Sequence, residues 1–208
     1  MALIGTGCPA PDARVPAPRL PEGRAGEILA RAIEAAGGWE SWARKQSVAF
    51  VSTTAISNPA VGTTSETLGL YRFPLHQLGK ARFDSLGLIE PVAVGSEDGR
   101  SYWLARDGRA VPDPDNMDVP RFNLASTAFW FGLPFRLAEL PVEISDAGER
   151  EEEGRRYSRL RVTLPGDVAA AAPGDRFVLW FDERTGLIPG LVGQFPARSL
   201  AHRHWVGF

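Results

Sequence analysis

The chain has 208 residues, 44% hydrophobic and 23% charged, an ordinary globular composition that excludes disorder along its whole length and fits one domain or two small ones. Its 23 Lys plus Arg against 25 Asp plus Glu give a net charge of −2, far from the basic excess that neutralising nucleic-acid phosphates requires. No run approaches the roughly 18 apolar residues of a spanning helix, and the single cysteine, Cys8, excludes an internal disulfide and a multi-cysteine zinc site.

The first 24 residues are set apart from the rest. Pro9, Pro11, Pro16, Pro18 and Pro21 crowd this segment and read as an extended, semi-rigid linker. Just before them, Leu3-Ile4-Gly5-Thr6-Gly7-Cys8 resembles the end of a bacterial lipoprotein signal, in which an apolar run and small residues precede the cysteine that becomes lipidated. A diacylglycerol on Cys8, followed by such a tether, would hold a folded domain away from a membrane surface, each buried methylene contributing about 0.8 kcal/mol. Two features depart from that pattern. The apolar run is far shorter than the roughly 7 to 15 residues of a signal core, and Gly5 occupies the place where leucine is usual. The first departure disappears if the start lies upstream of Met1; otherwise Cys8 is an incidental thiol in a cytoplasmic tail. The expected organisation is a signal remnant and linker over 1–24, then one folded domain over 25–208.

In the folded part, Ile28, Leu29, Ala32, Ile33 and Ala36 recur at helical spacing and Gly37-Gly38 is a stop signal. Trp39 and Trp42 suggest a second short helix that pins the first against a large apolar surface. From Val48 the texture turns to β. VAFVSTTAIS, TTSETLGLYRF, ARFDS, PVAVGS and SYWLA are strand-like runs parted by glycine and proline, and Asp107-Gly108 is a hairpin signal. From Val119 to Leu140 the alternation stops. This segment carries Phe122, Phe129, Trp130, Phe131 and Phe135, and its first part, up to Phe131, reads as a helix lying on the sheet. Aromatics that dense either fill a core or line a cavity.

EREEEGRR at 149–156 reads as a solvated turn between strands. In RRYSRLRVTL, Arg156, Ser158, Leu160, Val162 and Leu164 alternate with Arg155, Tyr157, Arg159, Arg161 and Thr163, which predicts one mostly apolar face and one basic, solvated face. FVLWF then enters the turn DERTG, and LIPGLVGQF resumes the meander. The expected fold is therefore α+β, with an antiparallel, half-exposed sheet.

Candidate chemistry is sparse. His202 and His204 would share one face of a strand, but no nearby carboxylate completes a metal set, so they read as a solvated or partly packed pair. The acidic loop Asp113, Asp115, Asn116 and Asp118 lacks the glycine and the glutamate of a calcium loop, where Asp118 and Leu124 stand. The chain has no G-x-S-x-G and no Gly-rich phosphate loop opening a helix. A non-enzymatic protein with no cofactor and no metal is expected.

A helix ending in AAGGWESW, a meander of strands, FWFGLPFRL and the late FVLWFDERTGLIPGL together resemble the LolA/LolB-like superfamily of lipoprotein carriers and receptors, more specifically an uncharacterised bacterial branch of it, over roughly residues 25 to 195. The resemblance implies a strongly curved antiparallel sheet forming an unclosed β-barrel, with an N-terminal helix and a helical insertion covering the concave face and an apolar cavity that accepts acyl chains. The polar residues of the classical carrier do not map onto this chain by any motif. The sequence also ends at Phe208 within a strand-like run, where such proteins commonly continue, so further strands are expected beyond it. The expected function is binding of a lipid, an acylated protein or another hydrophobic ligand at the bacterial cell envelope, by a monomer on the periplasmic side of a membrane to which it is anchored through Cys8. Trp103, Phe129, Trp130, Phe131 and Phe135 are the residues expected to line the cavity. The alternative is an interaction module with a filled core and no ligand, meeting a partner through Arg155, Arg159 and Arg161.

Overall fold

The computed structural model describes residues 15–58, 62–77, 79–112, 117–164, 176–195 and 200–205. The elements run α1 (Arg24–Ala35), α2 (Trp39–Arg44), β1 (Ser47–Asn58), β2 (Thr63–Pro74), β3 (Ala81–Ser85), β4 (Val92–Ser96), β5 (Tyr102–Arg106), β6 (Arg109–Ala110), α3 (Asp118–Phe131), α4 (Phe135–Glu139), β7 (Glu143–Glu152), β8 (Arg155–Thr163), β9 (Arg176–Asp182), β10 (Gly190–Phe195) and β11 (Leu200–Trp205). The class is α+β, and every strand pairing is antiparallel.

The strands form two ladders rather than one. The first is β1-β2-β3-β4-β5-β6 and the second is β11-β10-β9-β8-β7; among the described residues they do not close into a barrel. The break falls where α3 and α4 enter the chain between β6 and β7, because a strand reached through two helices is not delivered beside its predecessor as a hairpin strand is.

Local sequence explains the elements. In α1, Ala25, Leu29, Ala32 and Ile33 are buried along one stripe, and Gly37 and Gly38 end it with positive φ, the Gly38 N–H donating to the Ile33 carbonyl at 2.9 Å. The β5–β6 hairpin turns at Asp107 and Gly108, both at positive φ, as a two-residue hairpin requires. The EREEEGRR turn is shorter than expected. Only Glu153 and Gly154 turn, while residues 149–152 belong to β7 and pair with residues 155–158 of β8.

One core joins both sheets and all four helices. Leu29 of α1, Trp42 of α2, Phe73 and Leu104 of the first sheet, Phe129 of α3, Leu137 of α4, and Leu160 and Leu179 of the second sheet belong to the same cluster. Helix α3 packs against β3 and β4, and α1 against β7 and β8. The proline-rich segment is tied down at its end, where the Arg19 N–H donates to the Ala138 carbonyl at 3.0 Å.

Candidate functional site

The chemistry of α3 is decided by three consecutive aromatics. Successive helical residues point about 100° apart, and Phe129 and Trp130 meet the second sheet at Phe177 while Phe131 meets the first. Phe129 is 1% exposed and stands edge-on to Phe177 at 6.1 Å and to Trp130 at 5.0 Å. Trp130, partly buried against the core, stands edge-on to Phe177 at 5.1 Å. Phe131 turns to the other sheet. It stacks on Phe50 at 4.9 Å and meets Phe73 edge-on at 5.5 Å, yet remains 42% exposed. Phe50 in turn stacks on Tyr71 at 5.5 Å, and Tyr71 leans on Phe83 at 4.9 Å.

These rings share a face because of register. Phe50 lies opposite Tyr71, and Tyr71 opposite Phe83, so their side chains point the same way from neighbouring strands. Glycine makes room for the last ring: a Cβ at Gly69 would lie 1.8 Å from Phe83 Cε2. The result is an aromatic ribbon, Phe131-Phe50-Tyr71-Phe83, that crosses three strands, with Tyr71 buried, Phe50 and Phe83 partly buried and Phe131 the most exposed of the four.

Helix α4 carries a part-buried polar knot. Glu139 accepts from Trp42 Nε1 at 2.7 Å through Oε1 and from Arg136 Nη1 at 2.6 Å through Oε2. Its Oε1 also faces His76 Nδ1 at 3.2 Å, while His76 Nε2 faces the Lys45 carbonyl at 2.9 Å. Both ring nitrogens thus face acceptors, and a neutral imidazole can donate to only one of them. Arg136 is 1% exposed. Burial pushes its guanidinium below the usual arginine range, opposed by the Glu139 carboxylate, and its Nε has no partner. Above the knot, Phe135 stacks on Trp42 at 4.5 Å with planes 3° apart.

The five aromatics expected to line a cavity do not all meet. Phe129, Trp130 and Phe131 gather on α3, while Phe135 is buried on α4 against Trp42 and Trp39. Trp103, expected at the same site, lies apart from the other four. Its neighbour Leu104 is buried in the core, and alternation along β5 sends Trp103 to the opposite face. There its ring covers Gly95, where a Cβ would lie 2.2 Å from Trp103 Cζ2, under the Arg82 guanidinium at 5.6 Å. Phe50, Tyr71, Phe73 and Phe83 were not singled out from sequence; their signal is aromatic spacing of two, Tyr71 with Phe73, on strands that pair.

The second sheet corrects another expectation. Tyr157, placed on a solvated face, is buried and leans on Trp180 at 5.4 Å. Arg150 and Arg159 lie over the Trp180 ring at 5.6 and 5.9 Å, so arginine stems and an indole cover one another where simple solvation was expected. Cys8 and residues 113–116 of the acidic loop lie outside the described residues, as do the side chains of Phe122, His202 and His204. Among the described residues no group of three His, Cys, Asp or Glu side chains comes together.

No family model matches the sequence, and no curated protein matches it. Solved structures do match in shape. A DUF1329 family protein from Desulfovibrio piger superposes with a TM-score of 0.51 at 12% identity, over 84% of this chain and 75% of that one. A LolA superfamily protein from Nitrosomonas europaea superposes with a TM-score of 0.50 at 10% identity, over 86% of this chain and 75% of that one. Identity this low speaks to architecture alone, and the architecture of this chain is a LolA-like fold.

Proposed function

We propose that the protein is a non-enzymatic binder of acyl chains, carried by a lipid or an acylated protein, with its site between α3 and the core face of the first sheet. The observation that carries this reading is Phe131. A large aromatic at the end of a covering helix is 42% exposed while stacked on a ribbon of strand aromatics, and an apolar group left open beside an apolar surface marks a place where another apolar surface is accommodated.

In this reading the two sheets curve together as an unclosed barrel and the helices cover its concave side. An acyl chain enters at the Phe131 end, displaces that ring from Phe50 and lies along the ribbon toward Tyr71 and Phe83, with Trp130 at its flank. The driving force is removal of acyl surface from water at about 25 cal/mol per Å², and release follows movement of α3. The knot at Glu139 holds α4 still while α3 shifts. In the same reading a lipidated Cys8 and the tether hold the domain, residues 25–208, at the periplasmic side of a bacterial membrane.

The test is a titration of the purified chain with an environment-sensitive acyl probe, followed by competition with a myristoylated peptide. Saturable probe fluorescence that the acylated peptide displaces, and its unacylated counterpart does not, supports the reading. Absence of any saturable signal overturns it and leaves an interaction module with a filled core.

A further inference from the structure

Four strands end the two sheets: β1 and β6 in the first, β11 and β7 in the second. A sheet edge presents unpaired N–H and C=O groups, and natural edges are blunted by charge, proline, bulges or shortness. Strand β6 is two residues long and carries Arg109. Strand β7 has a register shift between Asp146 and Glu149 and carries Glu143, Arg150, Glu151 and Glu152 besides. Strand β11 is 6 residues long and carries Arg203. Strand β1 has none of these devices. SVAFVSTTAISN is 12 residues without a charge or a proline, and its register on β2 runs unbroken from Ser47 opposite Pro74 to Asn58 opposite Thr63. Among the described residues no strand pairs with its free side. The flanks of this edge are apolar as well, with Val51 59% and Leu68 42% exposed on one face and the exposed Phe131 against Phe50 on the other.

We propose that β1 is a docking edge for a second copy of this chain, pairing antiparallel with its own counterpart so that the first sheets of two protomers run on as one. The sequence reading expects a monomer; the charge pattern of β1 argues otherwise. Residues directly opposite in an antiparallel pair point to the same face, so a two-fold axis normal to the joined sheet passes midway between a residue and its own copy. Centring it on Ser52 or on Thr53 overlaps nearly the whole strand. In both registers every facing pair is uncharged, so no like charges meet, whereas β7 paired with itself about Ala147 would set Glu143 opposite Glu151. The contact is isologous, which sets the Val51 stripe of each protomer beside that of its partner and encloses both.

Sedimentation equilibrium of the full chain under reducing conditions tests this. The wild type shows a concentration-dependent dimer. Thr53 is exposed and lies beside the axis or one residue from it in both registers, so Thr53→Lys and Thr53→Glu each weaken the dimer at least about tenfold with an unchanged far-ultraviolet circular dichroism spectrum, and an equimolar mixture of the two variants restores it. A wild type that stays monomeric at every soluble concentration overturns the proposal. So does a dimer that survives Thr53→Lys, or one that the mixture fails to restore.

Discussion

Phe131 at the end of α3 lies flat on Phe50 of β1, ring centroids 4.9 Å apart and planes 10° from parallel. The pair joins α3 to the first sheet at the most exposed ring of the aromatic ribbon. The two neighbouring aromatics on α3 therefore separate folding from binding. Phe129→Ala removes a ring that is 1% exposed and is expected to cost about 3–5 kcal/mol. Phe131→Ala, at 42% exposure, should cost well under half as much in urea unfolding while weakening acyl-probe binding. Equal stability losses for the two variants would contradict this division.

Trp103 makes the converse case. It sits on the face away from the ribbon, over Gly95 and under Arg82, so Trp103→Ala is expected to leave acyl-probe affinity unchanged. The lost cation–π contact should cost about 0.5–1 kcal/mol, in addition to the ring's packing on Gly95. A binding loss as large as that of Phe131→Ala would place the site on the other face.

Glu139 is the acceptor on which Arg136, Trp42 and His76 converge. Removing it leaves a guanidinium that is 1% exposed without a counter-charge, and Glu139→Ala should destabilise by about 3–5 kcal/mol. Adding Arg136→Met to that variant should recover part of the loss, because an unpaired buried charge costs more than an apolar side chain of similar reach. Chemical denaturation of both variants checks the order, and a double variant less stable than Glu139→Ala would refute it.

Asp182 gives the fold an acid limit. Burial works against its charged form, but the N–H groups of Thr185 and Arg184, which donate to its Oδ1 at 2.9 and 2.8 Å, outweigh burial and hold the carboxyl below the usual range. A folded value below the unfolded one means that the contribution is full above the unfolded value, about 4, and is lost as pH falls through the folded value. Urea midpoints of the wild type should drop below about pH 4, and Asp182→Asn should flatten that drop. Parallel curves for the two proteins would rule out this role.

How much was legible in the sequence follows from which signals are local. Helix α1 and its Gly37-Gly38 stop, the Asp107-Gly108 hairpin and the end of α3 at Phe131 depend on spacing within a few residues, and each lies where the pattern put it. The five aromatics were found as residues but not as a site. Whether Trp103 joins Phe131 depends on which face of β5 turns inward, and that is set by pairing with β4, not by the run SYWLA itself. The Phe50-Tyr71-Phe83 ribbon needs two registers at once, and the Glu139 knot joins residues 97 and 63 positions apart in the chain. The Tyr157 face was misread because a strand alternating with arginine looks solvated until Trp180 arrives from β9 beneath those arginines.

The central claim is that an acyl chain lies on the inner face beside α3. Fluorine NMR of the 5-fluorotryptophan-labelled chain tests it most directly, with the Trp130 and Trp103 resonances among the six tryptophans assigned by single substitution and the sample titrated with a myristoylated peptide. The account predicts that the Trp130 resonance shifts and saturates while that of Trp103 stays in place. A saturating shift at Trp103 with Trp130 unmoved, or no saturable shift at any tryptophan, would contradict it.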